Sequence, residues 1–483
     1  MDRHRRPFRP AGVMGDTSDA SSPADLPAVA MLDAFAERTL SPVEVFDAVA
    51  DRIAAWEPTI RALYAPRLDQ AREEAQAAQQ RWAAGTPAGP LDGVPITIKE
   101  NIATRGTPIP QGTAATDLVP AEHDAPPAAR VIEAGAVVLA KTTMPDYGML
   151  SSGLSSFHPL TRNPWNPAWN PGGSSAGAAA AGAAGYGPLH LGSDIGGSVR
   201  LPAGWTGLVG FKPSLGRIPI HPPYFGRVVG PMTRTVADTA LLMSVASAPD
   251  HRDHMSLPPA DIDWRALDTD VRGLRIGVWT DAGSGLPVDP EVGAAVAAVA
   301  ALLADAGAVV EPIAPFFTPE MLHDLDLFWR VRSWVDFAAL PPDRQASVLP
   351  FIAQWCRSGA GVLGEELMRC VNRTLEIREA TVGATQPFDY VVSPVAPVPT
   401  FPAEWASPTN EVDTTMHHIA FTAPLSMSEQ PAVSVNCGFT AEGKPIAVQI
   451  AGRRFDDLGV LRVARWYEDA RPPAATPAWP SAP

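Results

Sequence analysis

The residues best suited to chemistry lie in a run of small side chains from 170 to 202. This run has the sequence NPGGSSAGAAAAGAAGYGPLHLGSDIGGSVRLP and carries hydroxyl groups at Ser174, Ser175 and Ser198. Small residues let backbone segments approach closely and leave their N–H groups exposed. A serine hydroxyl becomes a useful nucleophile only when a neighbouring base takes its proton. The run therefore predicts a nucleophilic site to which the fold must bring a base.

Two other interpretations of this run are weaker. A flexible linker would have a similar Gly/Ala/Ser composition, but Asp194 and Arg200 follow in a compact, non-repetitive order that a linker does not need. Residues 173–177 also fit G-x-S-x-G, which would make Ser175 the nucleophile of an α/β-hydrolase. Such a nucleophile must follow a buried strand, whereas NPWNPAWNP at 163–171 has three prolines that remove ladder donors. Ser175 is therefore predicted to be a supporting residue.

The segment and its surroundings resemble the amidase signature family. The resemblance rests on Lys99, Gly172-Gly173-Ser174-Ser175 and Asp194-Ile195-Gly196-Gly197-Ser198-Val199-Arg200-Leu201-Pro202. It continues through GLVGFKP at 207–213, GPMTR at 230–234, QPA at 430–432 and GRRF at 452–455, and covers roughly residues 40–469. Ala176 stands where the family usually has Gly or Ser, which is a minor departure because alanine is also small.

The resemblance implies acyl transfer to water without a cofactor. Carried over position by position, it makes Ser198 the nucleophile, Ser174 the proton shuttle and Lys99 the base, with a cis peptide between Gly173 and Ser174. A neutral lysine needs burial, because its ordinary pKa is ~10.4. Lys99 ends an apolar strand where burial is expected. The alternative is an amine that reaches solvent from the strand end, and the serine motifs favour the catalytic role.

The same element supplies a predicted oxyanion hole. Two adjacent glycines leave the backbone open to a developing alkoxide, so the expected donors are the N–H groups of Ile195, Gly196, Gly197 and Ser198. Asp194 and Arg200 are predicted to hold this loop through charge-assisted hydrogen bonds.

Other chemistries receive less support from the sequence. His251 and His254, and the adjacent His417 and His418, lack helical i, i+4 spacing, so no metal site is predicted. His190 lies near the motif without an identifiable acidic partner and is interpreted as a structural histidine. A net charge of −15 without a long Lys/Arg stripe disfavours nucleic acid as a partner.

Cysteine use and hydropathy predict a cytoplasmic protein that does not enter membranes. The three cysteines are not spaced as C-x-x-C and cannot all pair with one another. Residues 11–25 contain no apolar stretch of the kind a secretory signal needs. The alanine-rich stretches are interrupted by Gly and Pro before 18 apolar residues accumulate.

Local patterns predict an α/β fold in one large domain, with a mixed central sheet surrounded by helices. Ser41-Pro42-Val43-Glu44 has the form of a capping box that begins a helix, and a second helix is expected from Asp289. Strands are predicted at 94–99, 136–139, 274–280, 388–393, 432–437 and 445–450. The domain is expected to span 25–470, between a flexible N-terminal tail at 1–24 and a Pro/Ala-rich C-terminal tail at 471–483.

Apolar side chains near the motifs predict the substrate. The candidate pocket residues are Met144, Tyr147, Met149, Tyr224, Phe225, Phe328 and Trp329. An ordinary buried helix face is the alternative for the segment 315–340. No charged cluster in the sequence indicates a carboxylate pocket, so a neutral and largely apolar amide, anilide or carbamate is expected, and urethane cleavage is included.

Three hypotheses about function follow from the sequence. The chain is a free-standing hydrolase of a small-molecule amide or carbamate, the amidase subunit of a glutamine-dependent tRNA amidotransferase, or a non-catalytic homologue that acts as an interaction protein. The last is disfavoured because Lys99, Ser174 and Ser198 are all present. The oligomeric state stays open.

Overall fold

A mixed sheet of eleven strands crosses the part of the chain that the computed structural model describes, residues 22–481. In chain order its strands are β1 Leu63–Tyr64, β2 Pro95–Lys99, β3 Val137–Thr142, β4 Leu189–Asp194, β5 Val209–Lys212, β6 Val228–Thr233, β7 Arg275–Val278, β8 Val309–Pro312, β9 Tyr390–Pro394, β10 Ala432–Phe439 and β11 Pro445–Gly452. Across the sheet the order is β1-β3-β2-β4-β6-β5-β10-β11-β9-β7-β8.

Helices surround this sheet, and the predicted fold class is confirmed. In chain order they are α1 Ala28–Glu37, α2 Pro42–Ile60, α3 Leu68–Ala84, α4 Pro126–Glu133, α5 Ala176–Ala184, α6 Arg200–Thr206, α7 Val236–Ala246, α8 Pro290–Asp305, α9 Pro319–Ala338, α10 Pro342–Gln345, α11 Pro350–Arg357, α12 Gly364–Thr385, α13 Ala423–Met427 and α14 Asp457–Ala470. Short 3-10 turns lie at Pro23–Asp25, Asp146–Gly148, Val412–Thr414, His417–Ile419 and Pro473–Ala475. Among residues 22–481, no helix combines the length and apolarity needed to cross a bilayer.

The predicted elements lie where the sequence placed them, within a few residues. The helix at Ser41 begins with the predicted capping box: Ser41 Oγ accepts from Glu44 N at 3.2 Å, and Glu44 Oε2 accepts from Ser41 N at 2.8 Å. Each predicted strand overlaps one strand of the sheet. β10 and β11 pair antiparallel as neighbours.

Three strands and one helix bring the candidate catalytic segments together. β2 pairs parallel with both β3 and β4, and all five of its residues are buried, as expected for a strand covered on both faces. The Ala/Gly helix α5 is buried along its whole length against these strands. A Cβ added at Gly177 would lie 2.3 Å from the Ala62 carbonyl oxygen. The small residues of α5 therefore allow this helix to pack closely against its neighbours.

Both ends of the described chain make contacts with the domain, and the predicted domain limits stay a prediction. The carboxylate of Asp25 bonds to Arg52 at 2.9 Å and to Arg234 at 3.1 Å, and the turn Pro23–Asp25 spans the predicted boundary between the tail at 1–24 and the domain. The remainder of that tail, residues 1–21, lies outside the described residues. In the predicted C-terminal tail, Trp479 packs over the Arg234 guanidinium at 4.4 Å. Local composition did not reveal these contacts because both depend on residues distant in sequence.

Candidate functional site

Strand β2 ends in a fully buried amine that three serine hydroxyls surround. Lys99 Nζ lies 2.8 Å from Ser174 Oγ, 3.0 Å from Ser175 Oγ and 3.0 Å from Ser193 Oγ. None of these partners is a carboxylate. An amine that is neutral donates two of these hydrogen bonds and accepts the third through its lone pair, which is what a base needs.

Burial sets the protonation of this amine. Loss of hydration lowers the pKa of Lys99 to about 7. The Arg227 charge also lowers this pKa, whereas the negative charges of Asp194 and Glu100 raise it. The amine is therefore largely available as a base slightly above neutral pH. The lowered pKa depends on the burial of β2, because a lysine at the end of an exposed strand would keep its hydration.

The Gly-Ser loop before α5 holds the first two hydroxyls. The peptide between Gly173 and Ser174 is cis, as the family resemblance implied. Ser175 is fully buried, and its Oγ accepts from Ser193 N at 3.3 Å, which joins the loop to β4. A nucleophile must be reached by substrate, and a fully buried hydroxyl cannot be. The structure therefore supports the interpretation of Ser175 as a supporting residue.

The loop between β4 and α6 presents Ser198. This residue is only half-buried, and its carbonyl oxygen accepts from Ser175 N at 3.2 Å, so the two motif loops are joined directly. Gly197 has a φ of +124°, and a Cβ there would lie 2.6 Å from both Leu201 Cδ1 and Thr422 Oγ1. Only glycine fits this position.

The predicted oxyanion hole needs one correction. Gly197 N donates to Asp194 Oδ1 at 2.8 Å, so this N–H group is already occupied by a carboxylate. The N–H groups of Ile195, Gly196 and Ser198 have no hydrogen-bond partner within the described chain. These three remain the candidate donors, and the sequence did not reveal the difference because all four residues lie in the same loop.

A buried ion pair stabilises the loop between β4 and α6. Arg200 Nη2 and Nε donate to Asp194 Oδ1 and Oδ2 at 2.9 and 3.0 Å, and neither side chain is exposed. Burial alone would raise the pKa of Asp194, but the charge and hydrogen bonds of Arg200 lower it to about 2. Arg200 Nη1 also donates to Gln449 Oε1 at 2.8 Å and to the Thr422 carbonyl oxygen at 3.1 Å. The loop is thereby tied to β11 and to the segment before α13.

Most of the predicted pocket residues converge on these loops. Met149 and Trp329 are buried in one apolar cluster, against which Tyr147, Phe225, Phe328 and Ile195 pack half-buried. A Cβ added at Gly196 would lie 3.2 Å from Trp329 Cη2, so the indole ring borders the candidate oxyanion donors. Helix α9 thus contributes to this surface, and its residues Leu325 and Phe337 belong to the hydrophobic core.

Two predicted pocket residues have different surroundings. Met144 is buried beneath Gly148, where an added Cβ would lie 3.3 Å from both Met144 Cε and Ser174 Oγ. Tyr224 lies between two arginines, with the Arg332 and Arg227 guanidinium carbons 5.1 and 5.6 Å from its ring centre.

Sequence reasoning missed several polar residues at this site. Ser193 directly precedes Asp194, and its Oγ accepts from Asn101 Nδ2 at 3.1 Å as well as contacting Lys99. Thr422 Oγ1 donates to the Gly196 carbonyl oxygen at 2.6 Å. Proximity to the motif offered a signal for Ser193 and Asn101, since each lies within two residues of a motif residue. Thr422 carried no local signal.

His190 takes a structural position. His190 is fully buried, with Nδ1 2.7 Å from Thr97 Oγ1 and Nε2 3.1 Å from the Gly187 carbonyl oxygen. Burial lowers the pKa of His190 to about 3, so the ring is neutral near neutral pH. Within residues 22–481, no group of three or more His, Cys, Asp or Glu side chains is arranged to hold a metal ion.

Comparisons with known proteins identify the family of this chain. The chain matches the amidase family over residues 44–461. It is 33% identical to an acylamidase of Rhodococcus erythropolis, over 92% of this chain and 96% of that protein. It is 32% identical to a glutamyl-tRNA(Gln) amidotransferase subunit from a Synechococcus strain, over 92% of this chain and 97% of that protein. The crystal structure of a bacterial aryl acylamidase of the amidase signature family superposes with a TM-score of 0.85 at 27% identity, covering 92% of this chain and 96% of that one.

The buried ion pair generates a stability prediction. Arg200→Met leaves the Asp194 carboxylate buried without its partner, so the free energy of unfolding should fall by about 3–5 kcal/mol. Urea unfolding followed by fluorescence measures the change. Adding Asp194→Asn to Arg200→Met should recover part of the loss, because no charge is then left unpaired.

A surface pair is the matched control. Arg72 and Asp47 lie 3.2 Å apart with side chains 53% and 45% exposed, and Arg72→Met should change the free energy of unfolding by less than about 1 kcal/mol. Equal effects of the two arginine substitutions would show that the buried pair does not hold the loop.

Proposed function

Because the chain belongs to the amidase family, whose members hydrolyse amide C–N bonds, we propose that it is a free-standing amide hydrolase with Ser198 as its nucleophile. Ser174 relays the proton and Lys99 is the base. The observation that carries this proposal is the fully buried Lys99 amine, held among serine hydroxyls with its pKa lowered to about 7. A lysine in these surroundings has no structural partner that needs its charge, whereas a proton relay needs its lone pair.

The proposed reaction proceeds through an acyl-enzyme. Ser198 Oγ attacks the amide carbon while its proton passes to Ser174 Oγ, and the Ser174 proton passes to Lys99 Nζ. The carbonyl oxygen becomes an oxyanion that accepts hydrogen bonds from the unpaired N–H groups of Ile195, Gly196 and Ser198. The C–N bond then breaks, and the amine leaves with the proton returned from Lys99 through Ser174. Water repeats the path on the Ser198 ester and releases the acid.

Apolar surroundings favour an aryl or alkyl group beside the scissile bond. The Trp329 indole borders Gly196, and Phe225, Phe328 and Tyr147 add half-buried apolar surface around the same loops. Such surface stabilises an aromatic or aliphatic group through burial. A carbamate presents the same attackable carbonyl, so urethanes belong to the proposed substrate range.

A substrate panel tests this proposal. The purified chain is assayed alone with an acyl anilide, an aryl carbamate, a simple ester and glutamine under identical conditions. We expect the anilide or the carbamate to be cleaved, with release of the amine, because the apolar surface accepts their aryl groups. Glutamine should be inert, since its small polar side chain gains nothing from that surface. Hydrolysis of glutamine alone would instead support the amidotransferase-subunit hypothesis.

Substitution of the three relay residues should remove activity. Ser198→Ala, Ser174→Ala and Lys99→Met are each expected to lower kcat/KM for the cleaved substrate by on the order of 10⁴-fold, because the three groups act as one proton-transfer unit. Ser175→Ala should be milder, since its hydroxyl mainly joins the loop to β4. Ser244 lies on the exposed face of α7, so Ser244→Ala serves as the control for nonspecific effects of substitution and purification. Covalent labelling of Ser175 rather than Ser198 by a serine-directed phosphonate would overturn the assignment.

The Lys99 environment predicts the pH dependence. The base must be neutral, and its pKa lies at about 7, so kcat/KM for a neutral anilide should rise with pH through a midpoint near 7 and then level off. Arg227→Gln removes a positive charge that lowers the pKa of Lys99. The midpoint should therefore move to higher pH in this variant. A profile that falls above pH 7, or a midpoint that Arg227→Gln leaves in place, would contradict Lys99 as the base.

A further inference from the structure

Two arginine side chains share one tyrosine ring beside the candidate catalytic loops. The guanidinium carbons of Arg332 and Arg227 lie 5.1 and 5.6 Å from the ring centre of Tyr224. Neither arginine has a carboxylate within 4 Å in the described part of the chain. Burial and the charge of Arg332 both lower the pKa of Arg227. Two cations are thus held close together without the anion that such an arrangement ordinarily contains.

Arg332 faces the same surface as the proposed oxyanion donors. It lies one helical turn after Trp329 on α9, and the Trp329 ring borders Gly196. Its Nη2 lies 3.3 Å from Met149 Sδ, and its Nε is buried without a hydrogen-bond partner. A buried guanidinium N–H without a partner costs free energy, so a ligand that supplies an acceptor is favoured there.

Arg227 reaches the same tyrosine ring from a different element. It directly precedes β6 and donates to the Pro222 carbonyl oxygen, and its charge acts on the Lys99 amine. Phe225 in the same loop packs against the apolar cluster that includes Trp329. The two arginines therefore meet at one tyrosine ring, and each has a link to the candidate catalytic residues.

Two acidic side chains near this pair do not neutralise it. Asp336 lies on α9 one turn beyond Arg332 and is exposed to solvent. Asp253 attracts Arg227 but uses its carboxylate oxygens to accept from Ile220 N at 2.9 Å and Met255 N at 2.8 Å. A positive patch therefore persists within a chain of net charge −15.

We propose that Arg332 and Arg227 form a subsite for a carboxylate group carried by the amide substrate. This inference rests on the proposed function, and it differs from the sequence-based expectation of a wholly neutral substrate. The planar guanidinium fork matches a carboxylate in shape and charge. Tyr224, Met149 and Phe225 supply apolar surface for the spacer that joins this carboxylate to the scissile amide. The substrate class is an amide with an apolar spacer and an anionic end. Arg227 and Arg332 are far apart in the sequence, so inspection of the sequence does not show them as a charged cluster.

Matched substrates test the subsite on either side of the amide. On the amine side, 4-acetamidobenzoate is compared with 4-acetamidobenzamide. On the acyl side, the monoanilide of glutaric acid is compared with its terminal amide, and release of the arylamine is measured in all four cases. The neutral carboxamide has almost the same size and planarity as the carboxylate. We expect kcat/KM to favour the carboxylate about ten- to hundredfold in one of the two pairs, mainly through KM.

Substitutions assign this preference to the arginines. Arg332→Gln should reduce the ratio of kcat/KM between the charged and neutral members of the preferred pair to near one, and Arg332→Lys should keep part of it, because the charge persists without the fork. Arg272→Gln removes the same charge from an exposed side chain that bonds to Asp270, and the ratio should stay at its wild-type value.

The outcomes separate this inference from the proposed function. Turnover of the neutral members with no preference for either carboxylate would overturn the subsite and leave the hydrolase proposal standing. An unchanged ratio in Arg332→Gln would also overturn it. Failure of every member to release an arylamine, with the carbamate of the earlier panel also inert, would overturn the proposed function itself.

Discussion

The burial of one amine governs the arrangement of this protein's site. Lys99 ends a strand that is covered on both faces, and its Nζ contacts hydroxyls rather than carboxylates. Full burial opposes the charged form and brings the pKa of Lys99 close to neutral. The parallel pairing of β2 with β3 and β4 and the close packing of α5 are both required for this. Any looser arrangement would admit water and return the lysine to its ordinary charged state.

Around that amine, rigid elements position the loops that substrate must reach. The Asp194–Arg200 pair holds the β4–α6 loop from beneath, and the donation of Ser175 N to the Ser198 carbonyl oxygen fixes the distance between the two motif loops. Gly197 adopts a conformation that no side chain tolerates there. Within residues 22–481, these constraints leave the N–H groups of Ile195, Gly196 and Ser198 unpaired. Unpaired backbone donors of this kind can stabilise a developing negative charge.

Charge is distributed unevenly about the site. The whole chain is acidic, yet the Tyr224 ring contacts two arginines that lack carboxylate partners in the described structure. The Arg227 charge also lowers the pKa of Lys99. One cationic side chain thus connects the proposed recognition of an anionic group with the protonation state of the proposed base.

The sequence by itself determined the residues that form the motifs and some of the elements, whereas strands such as β4 were not predicted. The capping box at Ser41, the strand that ends in Lys99 and the serines at 174 and 198 are local patterns, and local patterns depend on neighbouring residues alone. Tertiary structure decided which groups these motifs meet. The Gly197 N–H group donates to Asp194, Ser193 contacts the Lys99 amine, and Arg332 and Arg227 both lie near the Tyr224 ring. Such contacts depend on strand order and helix packing between distant segments, and no local periodicity encodes them.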